Sequence, residues 1–212
     1  MLGTIVTLPA PEISEVLASV GFDWLFVDVE HAPMGFRDAQ ALLQAAGSQC
    51  PCLVRVPAGE EVWIKKALDI GASGIIVPQV HSARQAERIV GLCKYPPLGS
   101  RGVGVARAQG YGSRLNEYIA TANEQLAVVI QAESEEAVRN IESIVRVPGV
   151  DAIFIGPYDL SSSLGKPGAV ADPDVTDAIA AVRKSCLNAG VALGVFGVDA
   201  LAVQPFIEEG FT

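Results

Sequence analysis

Short runs of β-branched and aliphatic residues alternate along this chain with longer stretches in which apolar positions recur every three or four residues. The first pattern is that of buried parallel strands, the second that of amphipathic helices. Strands are predicted at 3–8, 24–30, 52–56, 74–80, 126–133, 152–156 and 191–196, and helices at 11–18, 36–46, 60–70, 82–92, 114–124, 135–146 and 174–189. Several helix ends are legible. Ser82 followed by Gln85 has the form of a capping box, Asp172-Pro173 supplies an N-cap and an N1 proline, and Gly47, Gly71 and Gly190 fall where glycine closes a helix. Seven consecutive strand–helix units with no signal of sheet reversal predict an α/β protein of the (β/α)8 TIM-barrel type, formed as one domain over residues 1–212. After the seventh strand the sequence reaches a helix end at Glu209-Gly-Phe-Thr212, so as read the barrel is one strand short.

Composition narrows the functional classes. Half of the 212 residues are hydrophobic, enough for a substantial single core, and 24 acidic against 15 scattered basic residues give a net charge of −9, which argues against a nucleic-acid surface. No apolar stretch is long enough to span a membrane, and the N-terminus lacks the layout of a signal peptide. The four cysteines, at 50, 52, 93 and 186, have neither zinc-site spacing nor the density of a disulfide scaffold, and are expected as free thiols in a reducing cytoplasm. Two long loops, 94–113 and 161–173, are expected to be functional. Gly102-Val-Gly104 in the first superficially resembles a dinucleotide fingerprint, but Arg107 stands where the third glycine belongs, so no nucleotide is expected there.

In a parallel barrel the chemistry sits at the C-terminal ends of the strands. Those ends carry Asp28, Glu30 and His31, then Arg55, Gln79, Gln131 with Glu133, and Asp159. Glu133 and Asp159 close successive strands, and if those strands are neighbours, about 5 Å apart, both carboxylates reach one rim and could share a divalent cation such as Mg²⁺ or Mn²⁺, leaving positions for water and substrate oxygens. Taken singly, each could equally cap the helix that follows. His31 lies three residues after Asp28, close enough for that carboxylate to hold one imidazole nitrogen and orient the other as a general base. His81 is expected to be a solvated residue. Arg55 interrupts an apolar strand, so it needs a partner: a substrate carboxylate or oxyanion, or an internal salt bridge with Asp28 or Glu30. Schiff-base chemistry requires a desolvated lysine at a strand end, and Lys65, Lys66 and Lys184 fall on helices, Lys94 and Lys166 in loops.

Five segments, Gly21-Phe-Asp-Trp-Leu-Phe-Val-Asp-Val-Glu-His-Ala-Pro33, Leu53-Val-Arg-Val-Pro57, Tyr95-Pro-Pro-Leu-Gly-Ser-Arg-Gly102, Gln131-Ala-Glu133 and Gly149-Val-Asp-Ala-Ile-Phe-Ile-Gly-Pro-Tyr-Asp-Leu-Ser161, together resemble the HpcH/HpaI class II aldolases. The resemblance runs almost the whole length. It implies a metal-dependent aldolase acting on a 2-keto-3-deoxy sugar acid, for example 2-dehydro-3-deoxyglucarate, or a related 4-hydroxy-2-oxo acid, and releasing pyruvate and an aldehyde through a metal-stabilised enolate. It further implies that Glu133 and Asp159 bind Mg²⁺, Mn²⁺ or Co²⁺, that Arg55 contacts the keto oxygen, that Gln131 lines the site, and that backbone amides around Gly156, Pro157, Tyr158 and Asp159 receive the substrate carboxylate. His31, supported by Asp28, would be the base. The family typically forms hexamers from dimers that exchange a C-terminal helix, so a homo-oligomer is expected. Measured against that pattern, the sequence lacks a helix before the first strand, the eighth strand and the exchanged helix. Oxaloacetate decarboxylation at the same site and a truncated, non-catalytic subunit are the alternative readings.

Overall fold

A computed structural model describes all residues, 1–212. All seven predicted strands form, as β1 (Gly3–Val6), β2 (Trp24–Asp28), β3 (Cys52–Arg55), β4 (Gly74–Val77), β5 (Ala127–Ala132), β6 (Ala152–Ile155) and β7 (Ala192–Val195). Each is one to three residues shorter than its apolar run, because hydropathy continues past the last ladder bond. β4 shows the cause. Pro78 has no N–H to give the ladder, so the strand stops at Val77 although Val80 beyond it is buried. Strand order follows the chain, and every registered pairing is parallel.

The helices are α1 (Pro11–Ser19), α2 (Phe36–Ala46), α3 (Glu61–Asp69), α4 (Ala83–Cys93), α5 (Leu115–Gln125), α6 (Glu135–Arg139), α7 (Ile141–Ile144), α8 (Pro157–Ser163), α9 (Pro173–Ala189) and α10 (Ala200–Glu208). Three depart from expectation. The helix predicted over 135–146 is broken at Asn140, whose side chain donates to the His81 carbonyl at 2.7 Å while its backbone (φ −99°, ψ 3°) ends α6 and starts α7. α8 was hidden because its seven residues are too few to show a period, though Pro157 at N1 and Asp159 in the first turn are helix-start signals. α10 begins at Asp199, whose carboxylate caps the Ala202 N–H at 2.8 Å, and Pro205 inside it masks the helical pattern. The predicted caps of α9 form: Asp172 accepts from the Asp174 N–H, Pro173 is the first helical residue, and Gly190 closes the helix in the left-handed region at φ 69°.

The residues group into two compact units, Met1–Val77 with Ile89–Val128, and Pro78–Arg88 with Val129–Thr212. In the first, β1 to β4 supply a core of Leu25, Val27, Val54, Ile75, Ile76 and Val77, covered by Leu42, Ile64 and Leu68 from the helices. Its long loop, 94–113, is tied down. Arg101 is buried between the rings of Tyr95 and Tyr118, 4.7 and 5.4 Å from their centroids, and donates to Asp69 at 3.0 Å. In the second unit, Ile130, Ile153, Ile155 and Leu193 from the strands meet Leu160, Val175, Ile179 and Val182. No helix is long and apolar enough to cross a membrane, and all four cysteines are free and buried.

Candidate active site

In the first unit, the register of two parallel strands builds an ionic cluster. Asp28 ends β2 and Arg55 ends β3 as direct partners, so their side chains leave the sheet together. Arg55 donates through Nε to Asp28 Oδ1 at 2.9 Å and through Nη2 to Oδ2 at 2.7 Å, and its Nε lies 3.1 Å from Glu30 Oε2. The Phe26 ring lies under the guanidinium, 5.0 Å from centroid to Cζ. Of the two partners open to Arg55, the internal one is therefore realised. Burial would raise the Asp28 pKa, but the hydrogen bond and charge of Arg55, joined by the backbone N–H groups of His31 and Glu30, outweigh it and hold the carboxyl below its ordinary value.

The bidentate ion pair also revises the expected Asp28–His31 arrangement. Asp28 receives only the backbone N–H of His31, at 3.3 Å, because Arg55 engages both carboxylate oxygens. The His31 imidazole is 65% exposed, with Nε2 3.8 Å from Glu30 Oε2, so the nearby acid is Glu30.

In the second unit, β5 and β6 pair with Ala132 opposite Ile155, and the next residues are Glu133 and Gly156. The Glu133 carboxylate is buried. Its Oε1 accepts from the Gln79 backbone N–H at 2.8 Å and its Oε2 from the Gln131 carboxamide. Gln131 and Glu133 are two apart on an extended strand and so share a face. A Cβ at position 156 would sit 3.2 Å from Gln131 Nε2 and 3.3 Å from Glu133 Oε2, which explains a glycine where the backbone passes the carboxylate. The Gly156 N–H donates to the Ala132 carbonyl at 3.4 Å and Pro157 has none, so Tyr158 and Asp159 carry the amides that open α8. Asp159 is exposed in that first turn, while Tyr158 packs edge-on to Phe196.

His81 is not simply solvated. Its Nδ1 is 2.8 Å from Ser134 Oγ, the N-cap of α6, its N–H donates to Gln85 Oε1 at 2.7 Å, and its carbonyl accepts from Asn140. The capping box at the start of α4 thus forms with a shift: Ser82 Oγ accepts from the Gln85 N–H, while the Gln85 side chain reaches His81. Lys94 is buried but held by the carbonyls of Asn123 and Leu126, Lys166 is paired with Asp172 and Asp174, and Lys65 with Glu61.

The donor set around Glu133 suits a hard divalent cation. Glu133 offers hard carboxylate oxygens, and the buried Gln131 Oε1 beside it has no donor within the chain, as an acceptor facing a bound water would.

Seven consecutive parallel strands joined by helices, with acidic residues at strand ends in each unit, fit an α/β fold of the TIM-like (β/α)n type. Comparison with known proteins agrees. Residues 3–212 match the family model described as HpcH/HpaI aldolase/citrate lyase. The chain is 44% identical over 199 residues to a 4-hydroxy-2-oxovalerate aldolase of Rhodococcus jostii (strain RHA1), covering 93% of this chain and 77% of the relative. It is 41% identical to a 2-dehydro-3,6-dideoxy-6-sulfogluconate aldolase of Pseudomonas putida, covering 99% of this chain and 83% of the relative. The crystal structure of an HpcH/HpaI aldolase/citrate lyase family protein from Burkholderia cenocepacia J2315 superposes with a TM-score of 0.96 at 39% identity, over 100% of this chain and 85% of that one. The chain belongs to the HpcH/HpaI aldolase/citrate lyase family. It is an enzyme of the class II, metal-dependent aldolase type, a carbon–carbon lyase.

Proposed function

We propose that this enzyme cleaves a 4-hydroxy-2-oxo acid, such as a 2-keto-3-deoxy sugar acid, to pyruvate and an aldehyde. The observation that carries the reading is the buried Glu133 carboxylate, oriented by the Gln79 amide and the Gln131 carboxamide beside Gly156. Glu133 and Asp159 would hold the divalent ion, Mg²⁺, Mn²⁺ or Co²⁺. When bound, the ion supplies positive charge that stabilises developing negative charge on the substrate oxygens.

The remaining roles fall to the chain's own groups. The N–H groups of Tyr158 and Asp159 would receive the substrate carboxylate, and Gln131 would line the site. Arg55, oriented by Asp28 and Glu30, would donate to the keto oxygen and stabilise the enolate. His31 would accept the proton of the C4 hydroxyl. The C4–O bond then becomes the aldehyde carbonyl, the C3–C4 pair moves into an enolate, and protonation at C3 gives pyruvate. In this account Asp28 acts on Arg55 and on the His31 backbone, and Glu30 is the acid beside the imidazole. We place the protein in the cytoplasm, on the strength of its free thiols, and as a homo-oligomer, as the resemblance implies.

The test is pyruvate release from 2-dehydro-3-deoxyglucarate and 4-hydroxy-2-oxovalerate after EDTA treatment, with Mg²⁺ or Mn²⁺ restored, in wild type beside Glu133→Ala. Activity that requires the ion and disappears in Glu133→Ala supports the reading. Full activity after thorough metal removal would sink it, and faster turnover of oxaloacetate than of either hydroxy-oxo acid would transfer the same residues to a decarboxylase.

A further inference from the structure

Gln79 is one of two non-glycine residues in the chain with a positive φ, at 56°. An L-residue with a long side chain is disfavoured there, and such a conformation persists only where its surroundings hold it. The side chain does not explain it, being exposed. The backbone does. In this conformation the Gln79 N–H points at Glu133 Oε1, 2.8 Å away.

The flanking residues hold the conformation. Pro78 before it has a fixed φ, and Val80 after it is buried. His81 then makes three hydrogen bonds: its N–H to Gln85 Oε1 at 2.7 Å, Nδ1 to Ser134 Oγ at 2.8 Å, and its carbonyl from Asn140 Nδ2 at 2.7 Å. Ser134 follows Glu133 directly, so the turn after β4 is anchored to the segment that presents the carboxylate. Asn140, which breaks α6 from α7, supplies the last of these bonds. The backbone amide on Oε1 and the carboxamide on Oε2 are neutral donors. Each of these two donors orients the carboxylate without itself carrying a charge.

We infer that Gln79 is a positioning residue for the divalent ion: its left-handed backbone amide fixes the Glu133 carboxylate, and its side chain has no part in this. The inference rests on Glu133 being a metal ligand. It distinguishes the backbone from the side chain at position 79, which sequence comparison by residue identity would not do.

The experiment is a Mn²⁺ titration of the intact protein, with the free ion measured by its EPR signal, for wild type, Glu133→Gln, Gln79→Val, Gln79→Ala and Gln79→Gly. Valine, and less severely alanine, disfavour positive φ, whereas glycine adopts it freely and keeps the N–H. Melting curves without Mn²⁺ establish that each variant is folded, and Gln79→Ala serves if Gln79→Val is not. The expected result is loss of binding in Glu133→Gln, affinity about tenfold weaker in Gln79→Val with a smaller loss in Gln79→Ala, and recovery to near wild type in Gln79→Gly. Wild-type affinity in folded Gln79→Val and Gln79→Ala would overturn the inference and leave Glu133 a ligand. Weakening in Gln79→Gly as large as in Gln79→Ala would overturn it in favour of a side-chain role. Absence of Mn²⁺ binding in wild type would overturn both the inference and the metal reading beneath it.

Discussion

The two carboxylates at the ends of β2 and β5 are both buried, yet their surroundings differ in kind. Asp28 is met by a guanidinium through two hydrogen bonds, a charge compensated within the fold. Glu133 accepts hydrogen bonds from a backbone amide and a carboxamide, two donors that carry no charge. The difference teaches that burial alone does not say what an acid is for: the charge of its donors does. Asp28 holds Arg55 in place, whereas on the proposed reading Glu133 attracts a cation.

That contrast can be broken most forcefully at Arg55. Arg55→Met leaves Asp28 buried without its cation and is expected to lower unfolding stability by about 3–5 kcal/mol in urea denaturation, with partial recovery when Asp28→Asn is added. Next, Glu133→Gln in metal-free protein should change stability by less than about 1 kcal/mol, because an amide can occupy much of the same network, while the rise in melting temperature with added Mn²⁺ disappears. A large loss of metal-free stability in Glu133→Gln would erase the distinction.

The third effect is on acid stability. Because the Asp28 carboxyl is held below its ordinary value of 3.8, its contribution is present in full above that value and is lost as pH falls through the lower, folded one. Urea midpoints between pH 5 and 2 should fall less steeply in Asp28→Asn than in wild type. Asp172→Ala, which removes the N-cap of α9 and a partner of Lys166, should lower the melting temperature slightly. The smallest effect is on the thiols. Burial pushes Cys52 and Cys186 up to about 12, so neither should react with iodoacetamide at pH 8 until denaturant is added.

The fold was legible where burial on both faces gives a strand a continuous aliphatic run, as in Gly74-Ile-Ile-Val77, and least legible where a short polar helix such as α8 shows no period. The identity of the polar residues at the strand ends was also legible. Their partners were not, because pairing depends on register. Asp28 and Arg55 are 27 positions apart in sequence, and only alignment of β2 with β3 shows that Arg55 takes both oxygens that His31 was expected to share. Gln79 carried a still weaker signal. Its contribution is a backbone dihedral, and no residue-type argument assigns a positive φ to glutamine.

Gln131 has a further consequence. Its nitrogen is committed to Glu133, while its oxygen is buried with no donor within the chain. Turning the amide over would set oxygen against carboxylate, so the group cannot relax by flipping. The polypeptide by itself is locally frustrated at this point, and an incoming hydroxyl or water relieves the conflict. If Gln131 lines the site as proposed, a hydrophobic replacement that relieved this conflict would cost activity, and foldability and turnover would pull in opposite directions at position 131.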